Sequence, residues 1–230
     1  MKKLIILSLF AFAISATAQK GLPKFGADMG KTSVMGKDVR VTYTSMISYY
    51  GYVKPGTAPD ATVNNKKMYY LYIWIPIAAP EIGIRMVSPI PSDLKPAGTD
   101  FFSTSYTDNA AERTTYFDTW INLEKADGIM KKEDISSKGK SATWNVFDSN
   151  DDSSEMPKQP SGSAYNSLMR ITSEVSNPLK ALTIGLYRVG FTTYKTGEVQ
   201  GSFLAQVGAP VDIPGIVIAT DMESLVKLIK

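Results

Sequence analysis

The densest concentration of potential chemistry in the chain is Asp148-Ser149-Asn150-Asp151-Asp152, three carboxylates and one side-chain amide carbonyl within five residues. Crowded carboxylates repel one another unless a cation lies between them. Hard oxygen donors on a loop suit calcium better than a transition metal. The flanking Ser153, Ser154, Pro157, Pro160, Ser161 and Gly162 are turn formers, so the run is expected on a loop. Two readings stand side by side: a solvated acidic loop and a calcium site. A further acid, Asp118, falls inside the aromatic segment Tyr116 to Leu123. A lone carboxylate buried there needs a partner, either an Arg or Lys or a metal. The run is not an EF-hand, because in the register starting at Asp148 the glycine position holds Ser153 and the closing glutamate position holds Gln159.

Composition removes most other chemistry. The 230 residues contain no His and no Cys. Imidazole acid–base catalysis, Ser-His-Asp and Cys-His nucleophiles, and His/Cys zinc sites are therefore excluded. Disulfides are excluded too, so a secreted fold must be held by its core alone. Residues 1–18 read as a signal peptide, with Lys2 and Lys3 as the basic start, an apolar stretch from Leu4 to Ile14, and Ala16-Thr17-Ala18 before the cleavage site. Residues 19–230 are then expected to form a single domain. The formal charge of +3 includes Lys2 and Lys3, which leaves a nearly neutral remainder without a dense basic patch. Nucleic acid is accordingly not an expected partner. No later segment reads as membrane-spanning, and without a Cys no lipid anchor is expected.

Strand-like segments dominate the pattern. Val39 to Val53 is rich in β-branched and aromatic residues, and Met68 to Ile77 is a nearly continuous apolar run suited to a strand covered on both faces. Ile82 to Val87, Tyr116 to Leu123 and Tyr165 to Thr172 read as further strands, and residues 88–115 as loop. Leu182 to Tyr194 and Glu198 to Val207 read as a hairpin through Lys195-Thr196-Gly197. Met222, Leu225, Val226 and Ile229 switch to helical spacing, with Thr220 and Glu223 as an expected capping box, giving a short C-terminal helix of about three turns. These elements predict an all-β, two-layer sandwich with little helix, and pattern alone leaves jelly-roll and immunoglobulin wiring open.

Three ordered stretches carry a resemblance. They are Tyr49-Tyr50-Gly51-Tyr52-Val53-Lys54-Pro55-Gly56 continuing to Trp74-Ile75-Pro76, then Phe117-Asp118-Thr119-Trp120-Ile121, then Gly185-Leu186-Tyr187-Arg188 continuing to Gly201-Ser202-Phe203. Together they resemble the major surface lipoprotein family of Leptospira over about residues 45 to 208. The resemblance implies a jelly-roll β-sandwich with peripheral helices and one bound calcium ion. It carries the family's calcium ligands onto Asp118, Thr119 and Tyr165 and, counting back from Tyr165 without a gap, onto Asp151 and Asp152. Asp148 and Asn150 are the alternatives if that count contains a gap. With the resemblance in hand, calcium is the expected reading of the acidic run. Tyr165 is expected to contribute its backbone carbonyl, since a neutral phenol is a poor calcium ligand.

The chain departs from the family in lacking a lipidation Cys, in having fewer consecutive loop acids, and in ending soon after one short helix. The expected function is an exported, calcium-binding, non-enzymatic protein that binds an extracellular-matrix protein or polysaccharide. Its expected location is the periplasm, the outer surface or the medium. A structural envelope protein and a secreted hydrolase using Asp118 with Asp151 or Asp152 are the alternatives.

Overall fold

The computed structural model describes Leu22 and residues 25–229, so the expected signal peptide lies outside the described residues. The chain opens with a hairpin of β1 (Gly26–Val34) and β2 (Lys37–Thr42), which form their own two-stranded sheet. There follow β3 (Ser45–Val53), β4 (Ala61–Val63), β5 (Lys66–Ile75), β6 (Glu81–Val87), the two-residue β7 (Phe101–Phe102) and helix α1 (Thr104–Asn109). The second half holds β8 (Thr119–Ala126), α2 (Lys132–Lys138), β9 (Trp144–Asn150) and β10 (Ser167–Thr172). It closes with β11 (Gly185–Thr193), β12 (Gly201–Ala209), β13 (Val217–Ala219) and α3 (Met222–Leu228).

The large strands form two sheets, ordered β10-β6-β12-β3-β7 and β13-β5-β11-β8-β9, with β4 paired to β5. Numbering β3, β5, β6, β8, β9, β10, β11 and β12 from one to eight, the sheets run 1-8-3-6 and 2-7-4-5. That order is jelly-roll wiring and settles what the pattern left open. The fold is thus an all-β sandwich with peripheral helices and a short C-terminal helix.

The inner faces meet in one core that includes Tyr49, Tyr69, Leu71, Ile73, Ile84, Ile121, Val189, Phe191 and Phe203. Near its centre the Phe203 ring contacts Tyr49 at 5.9 Å, Tyr69 at 5.5 Å and Phe117 at 6.2 Å between centroids. Gly51, paired with Phe203 in register, has no side chain because the ring occupies that space: a Cβ there would stand 2.0 Å from Phe203 Cζ. The hairpin β1–β2 is tied to the sandwich by Glu81. This fully buried carboxylate accepts from the Asp28 and Met29 N–H groups, the Tyr43 hydroxyl at 2.7 Å and the Thr172 hydroxyl at 2.8 Å.

Several sequence expectations are corrected. The apparent hairpin of residues 182–207 is not one: β11 pairs with β5 and β8, while β12 pairs with β3 and β6. The short connection carries the chain from one sheet to the other, and both strands are buried on both faces. The polar side of β12 is therefore not solvated. Gln206 is fully buried, accepting from Arg85 Nε at 2.7 Å and donating to Ser48 Oγ at 2.9 Å. Residues 88–115, expected as loop, contain β7 and α1. Asp148, Ser149 and Asn150 end the edge strand β9, so only Asp151 and Asp152 of the acidic run leave the sheet. The tyrosine-led segment begins its strand at Ser167, leaving Tyr165 just outside it, and Asp118 immediately precedes β8 rather than lying within it. Helix α3 is capped by Asp221, which accepts from Ser224 N at 2.8 Å, instead of the Thr220–Glu223 box.

Replacing Gly51 by Ala must displace a ring packed on three sides. Gly51→Ala is expected to lower unfolding free energy by about 1–3 kcal/mol, read as a reduced urea midpoint at unchanged m-value.

Candidate metal centre

The site is assembled where the start of β8 meets the segment linking β9 to β10. Asp118 is fixed through its own backbone, whose carbonyl accepts from Tyr194 N at 2.9 Å at the end of β11. The next residue, Thr119, donates its N–H to the Tyr165 carbonyl at 3.1 Å. Its fully buried hydroxyl lies 3.2 Å from that same carbonyl and 2.6 Å from Ser167 Oγ. Ser167 in turn donates to the Asp151 carbonyl at 2.9 Å. A chain of two hydroxyls therefore fastens the Asp118 strand to the acidic segment.

The acidic segment is held from beneath by three amides. Asn150 accepts from Leu168 N at 2.9 Å and donates to the Asp152 carbonyl at 3.0 Å. Asn166, almost wholly buried, accepts from Ser88 N at 2.9 Å and donates to the Pro157 carbonyl at 2.7 Å, while its own carbonyl accepts from Ser153 N. Gln159 donates to the Phe117 carbonyl at 2.6 Å. Buried amides that bond the backbone on both sides make a loop part of the fold rather than a mobile excursion.

The result is an electrostatic conflict. Asp118 Oδ1 is buried with no hydrogen-bond partner among the described residues. Its carboxyl is pushed up to about 6, first by desolvation and then by the negative charges of Asp152 and Asp151, against the partial relief of Lys195 and Lys66. Asp152 is also raised, by desolvation and by Asp151. Lys66 does not resolve the conflict by ion pairing. Its ammonium donates to the Thr193 carbonyl at 3.0 Å and to the Tyr194 carbonyl, and lies 4.7 Å over the Trp120 ring.

Of the expected ligands, Asp118, Asp151 and Asp152 are brought within mutual electrostatic reach, with Thr119 and Tyr165 directly behind them. The two alternatives make other contacts. Asn150 spends both ends of its amide on the backbone. Asp148 stands opposite Leu123 on β9, accepts from Ser149 N, and borders a separate cleft with Arg170, Thr172 and Lys180. Among the described residues no group of three or more His, Cys, Asp or Glu side chains is gathered closely enough to hold a metal ion. In kind the donors suit a hard cation: three carboxylates, one of which carries the unpartnered Asp118 Oδ1, and no nitrogen or sulfur. The Tyr165 carbonyl already accepts from Thr119, so these two residues serve first as the brace that positions Asp118. Ser167, Asn166 and Gln159 were not legible as site residues, because single polar residues in a turn-rich stretch carry no periodic signal.

The raised Asp118 carboxyl has a defined consequence for metal-free protein. Its folded value near 6 lies above the ordinary 3.8, so between the two the folded state retains a proton that the unfolded chain has released. Stability is then present at acid pH and is lost as pH rises from about 4 to about 6. In excess chelator the melting temperature should be higher at pH 5 than at pH 7, and Asp118→Asn should flatten that slope.

Comparison with known proteins adds an independent line. A search of curated proteins found no match. A protein-family profile described as surface lipoprotein of the Spirochaetales order matches residues 37–218, from the start of β2 into β13 and so across the whole sandwich and the acidic site. Membership is consistent with an exported protein, and no helix among the described residues is long and apolar enough to cross a membrane. The chain belongs to the Spirochaetales surface lipoprotein family.

Proposed function

We propose that this protein is an exported, non-enzymatic surface β-sandwich that is stabilised by calcium and binds an extracellular polymer, either a matrix protein or a polysaccharide. The observation that carries the metal half of this reading is the orphaned Asp118 Oδ1 beside Asp151 and Asp152, on a frame that holds all three without neutralising them. Asp118, Asp151 and Asp152 are the charged ligands, with oxygens of Thr119 and Tyr165 behind them and water completing the shell. Bound there, calcium would supply the positive charge that the three carboxylates lack. Extracellular modules of this kind bind in the range of roughly 0.1–1 mM, which suits an exported protein. The family's description supports a surface location, although this sequence has no Cys for a thiol-linked lipid.

A hydrolase is the second reading, favoured by one observation: a carboxyl raised to about 6 next to further acids is also what a general acid needs. Hydrolysis of a polysaccharide that persists in saturating calcium and is lost in Asp118→Asn would establish it.

Binding to the folded state alone stabilises by about 2.7 kcal/mol at a hundredfold excess over Kd. The melting temperature of residues 19–230 should therefore rise in millimolar calcium relative to EGTA. The rise should vanish in Asp118→Ala and in Asp151→Ala while both variants stay folded. Equal melting temperatures with calcium and chelator would defeat the metal reading.

A further inference from the structure

A second site lies at the other lateral edge of the sandwich. Where β3 and β7 end one sheet and β13 and β5 end the other, a cleft of about 580 Å3 opens between the 54–60 loop, the start of α1 and residues 220–221. This size falls within the roughly 300–1,000 Å3 of small-ligand sites. The acidic segment, by contrast, adjoins β8, β9 and β10.

The cleft combines an aromatic wall with hydrogen-bonding groups the fold leaves unmatched. Phe102 is 45% exposed, yet its ring is stacked on Tyr50 at 5.4 Å and 15° and on Tyr106 at 6.1 Å and 28°, so its orientation at the cleft is fixed. At the floor, Tyr69 is only 3% exposed and its hydroxyl has no hydrogen-bond partner among the described residues. The Thr57 hydroxyl, on the loop above, is likewise buried and unpartnered. Between them stands Asp60, whose Oδ2 accepts from Tyr70 N at 2.7 Å and whose charge is felt by both the Tyr49 and Tyr69 phenols. A buried hydroxyl without a partner costs free energy; Tyr50 Oη, Tyr70 Oη and Asn122 Oδ1 are also buried without one, and Tyr69 and Thr57 are the two of this set that border the cleft, where a ligand could pair with them.

We propose that this cleft binds a neutral sugar unit of a polysaccharide, with a ring face on Phe102 and hydroxyls meeting Asp60, Tyr69 and Thr57. A sugar hydroxyl both donates and accepts, so one diol can give a proton to Asp60 and take one from Tyr69 or Thr57. A bare cation would leave those O–H groups unmatched. An anionic glycan would face Asp60, Asp108 and Asp221 with only Lys54 in compensation. The inference rests on the reading of the chain as a polymer-binding module, and not on calcium.

Calorimetric titration of residues 19–230 with maltohexaose, cellohexaose and chitohexaose tests it, with a heparin hexasaccharide as the anionic comparison. At least one neutral hexasaccharide should bind, and more tightly than heparin. Tyr69→Phe removes an unpartnered hydroxyl and should leave the melting temperature unchanged or slightly higher, while weakening that sugar by about fivefold. Phe102→Ala should weaken it by about tenfold or more. The titration is run in calcium and in EGTA: sugar binding retained in a protein whose melting temperature does not respond to calcium would defeat the metal reading and leave this one standing. No binding of any neutral hexasaccharide at millimolar concentration, or binding indifferent to both cleft variants, would overturn the proposal.

Discussion

The packing of Phe203 against Tyr49, Tyr69 and Phe117 is the contact on which the rest of the molecule depends. The chain has no disulfide to hold its layers together, so the sandwich is held by what its inner faces bury. Phe203 reaches from β12 across to β5 and to the residue before Asp118, and Gly51 leaves room for it. Both candidate sites are extensions of that cluster. Tyr49 and Tyr69 lead outward to the cleft, while Phe117 leads to Asp118 and, through its carbonyl, to Gln159 of the acidic segment. A rigid aromatic centre thus positions polar groups at two opposite edges, and through Tyr49 and Tyr69 it also lines the cleft.

The edges differ in how they handle polarity. Inside the β12 sheet, polar residues are matched in closed sets, as Glu81 is by four donors and Gln206 by Arg85 and Ser48. At the acidic edge and in the cleft the matching stops. Asp118 Oδ1, Tyr69 Oη and Thr57 Oγ1 are buried without a hydrogen-bond partner among the described residues, as are Tyr50 Oη, Tyr70 Oη and Asn122 Oδ1 away from the two sites.

The legible parts of the sequence were those with strong local periodicity or unusual residue types. The continuous apolar run from Met68 marked β5 and the helical spacing of Met222, Leu225 and Val226 marked α3; residue type drew attention to Asp118 and to the 148–152 run, and only the family resemblance narrowed that run to Asp151 and Asp152. What escaped depends on contacts distant in sequence. β9 is polar because it is an edge strand, so Asp148 to Asn150 looked like loop. Helices α1 and α2 are too short to show a period. The false hairpin arose because closeness in sequence does not say which sheet a strand joins, and β11 and β12 bury both faces in different ones. Asn166, Gln159 and Ser167 act through backbone partners that no spacing rule locates. The cleft was illegible for the same reason, since it gathers residues from 49 to 221.

If Asp118, Asp151 and Asp152 form one cation site, the chain carries its own reporter for it in Trp120, two residues from Asp118. Terbium, a calcium-sized lanthanide, luminesces when a nearby excited indole transfers energy to it. Titrating terbium into residues 19–230 with excitation at the tryptophan band is the most direct measurement. The account predicts saturable terbium emission that calcium displaces and that Asp118→Ala abolishes. Absence of sensitised emission, or emission unchanged in Asp118→Ala, would contradict it.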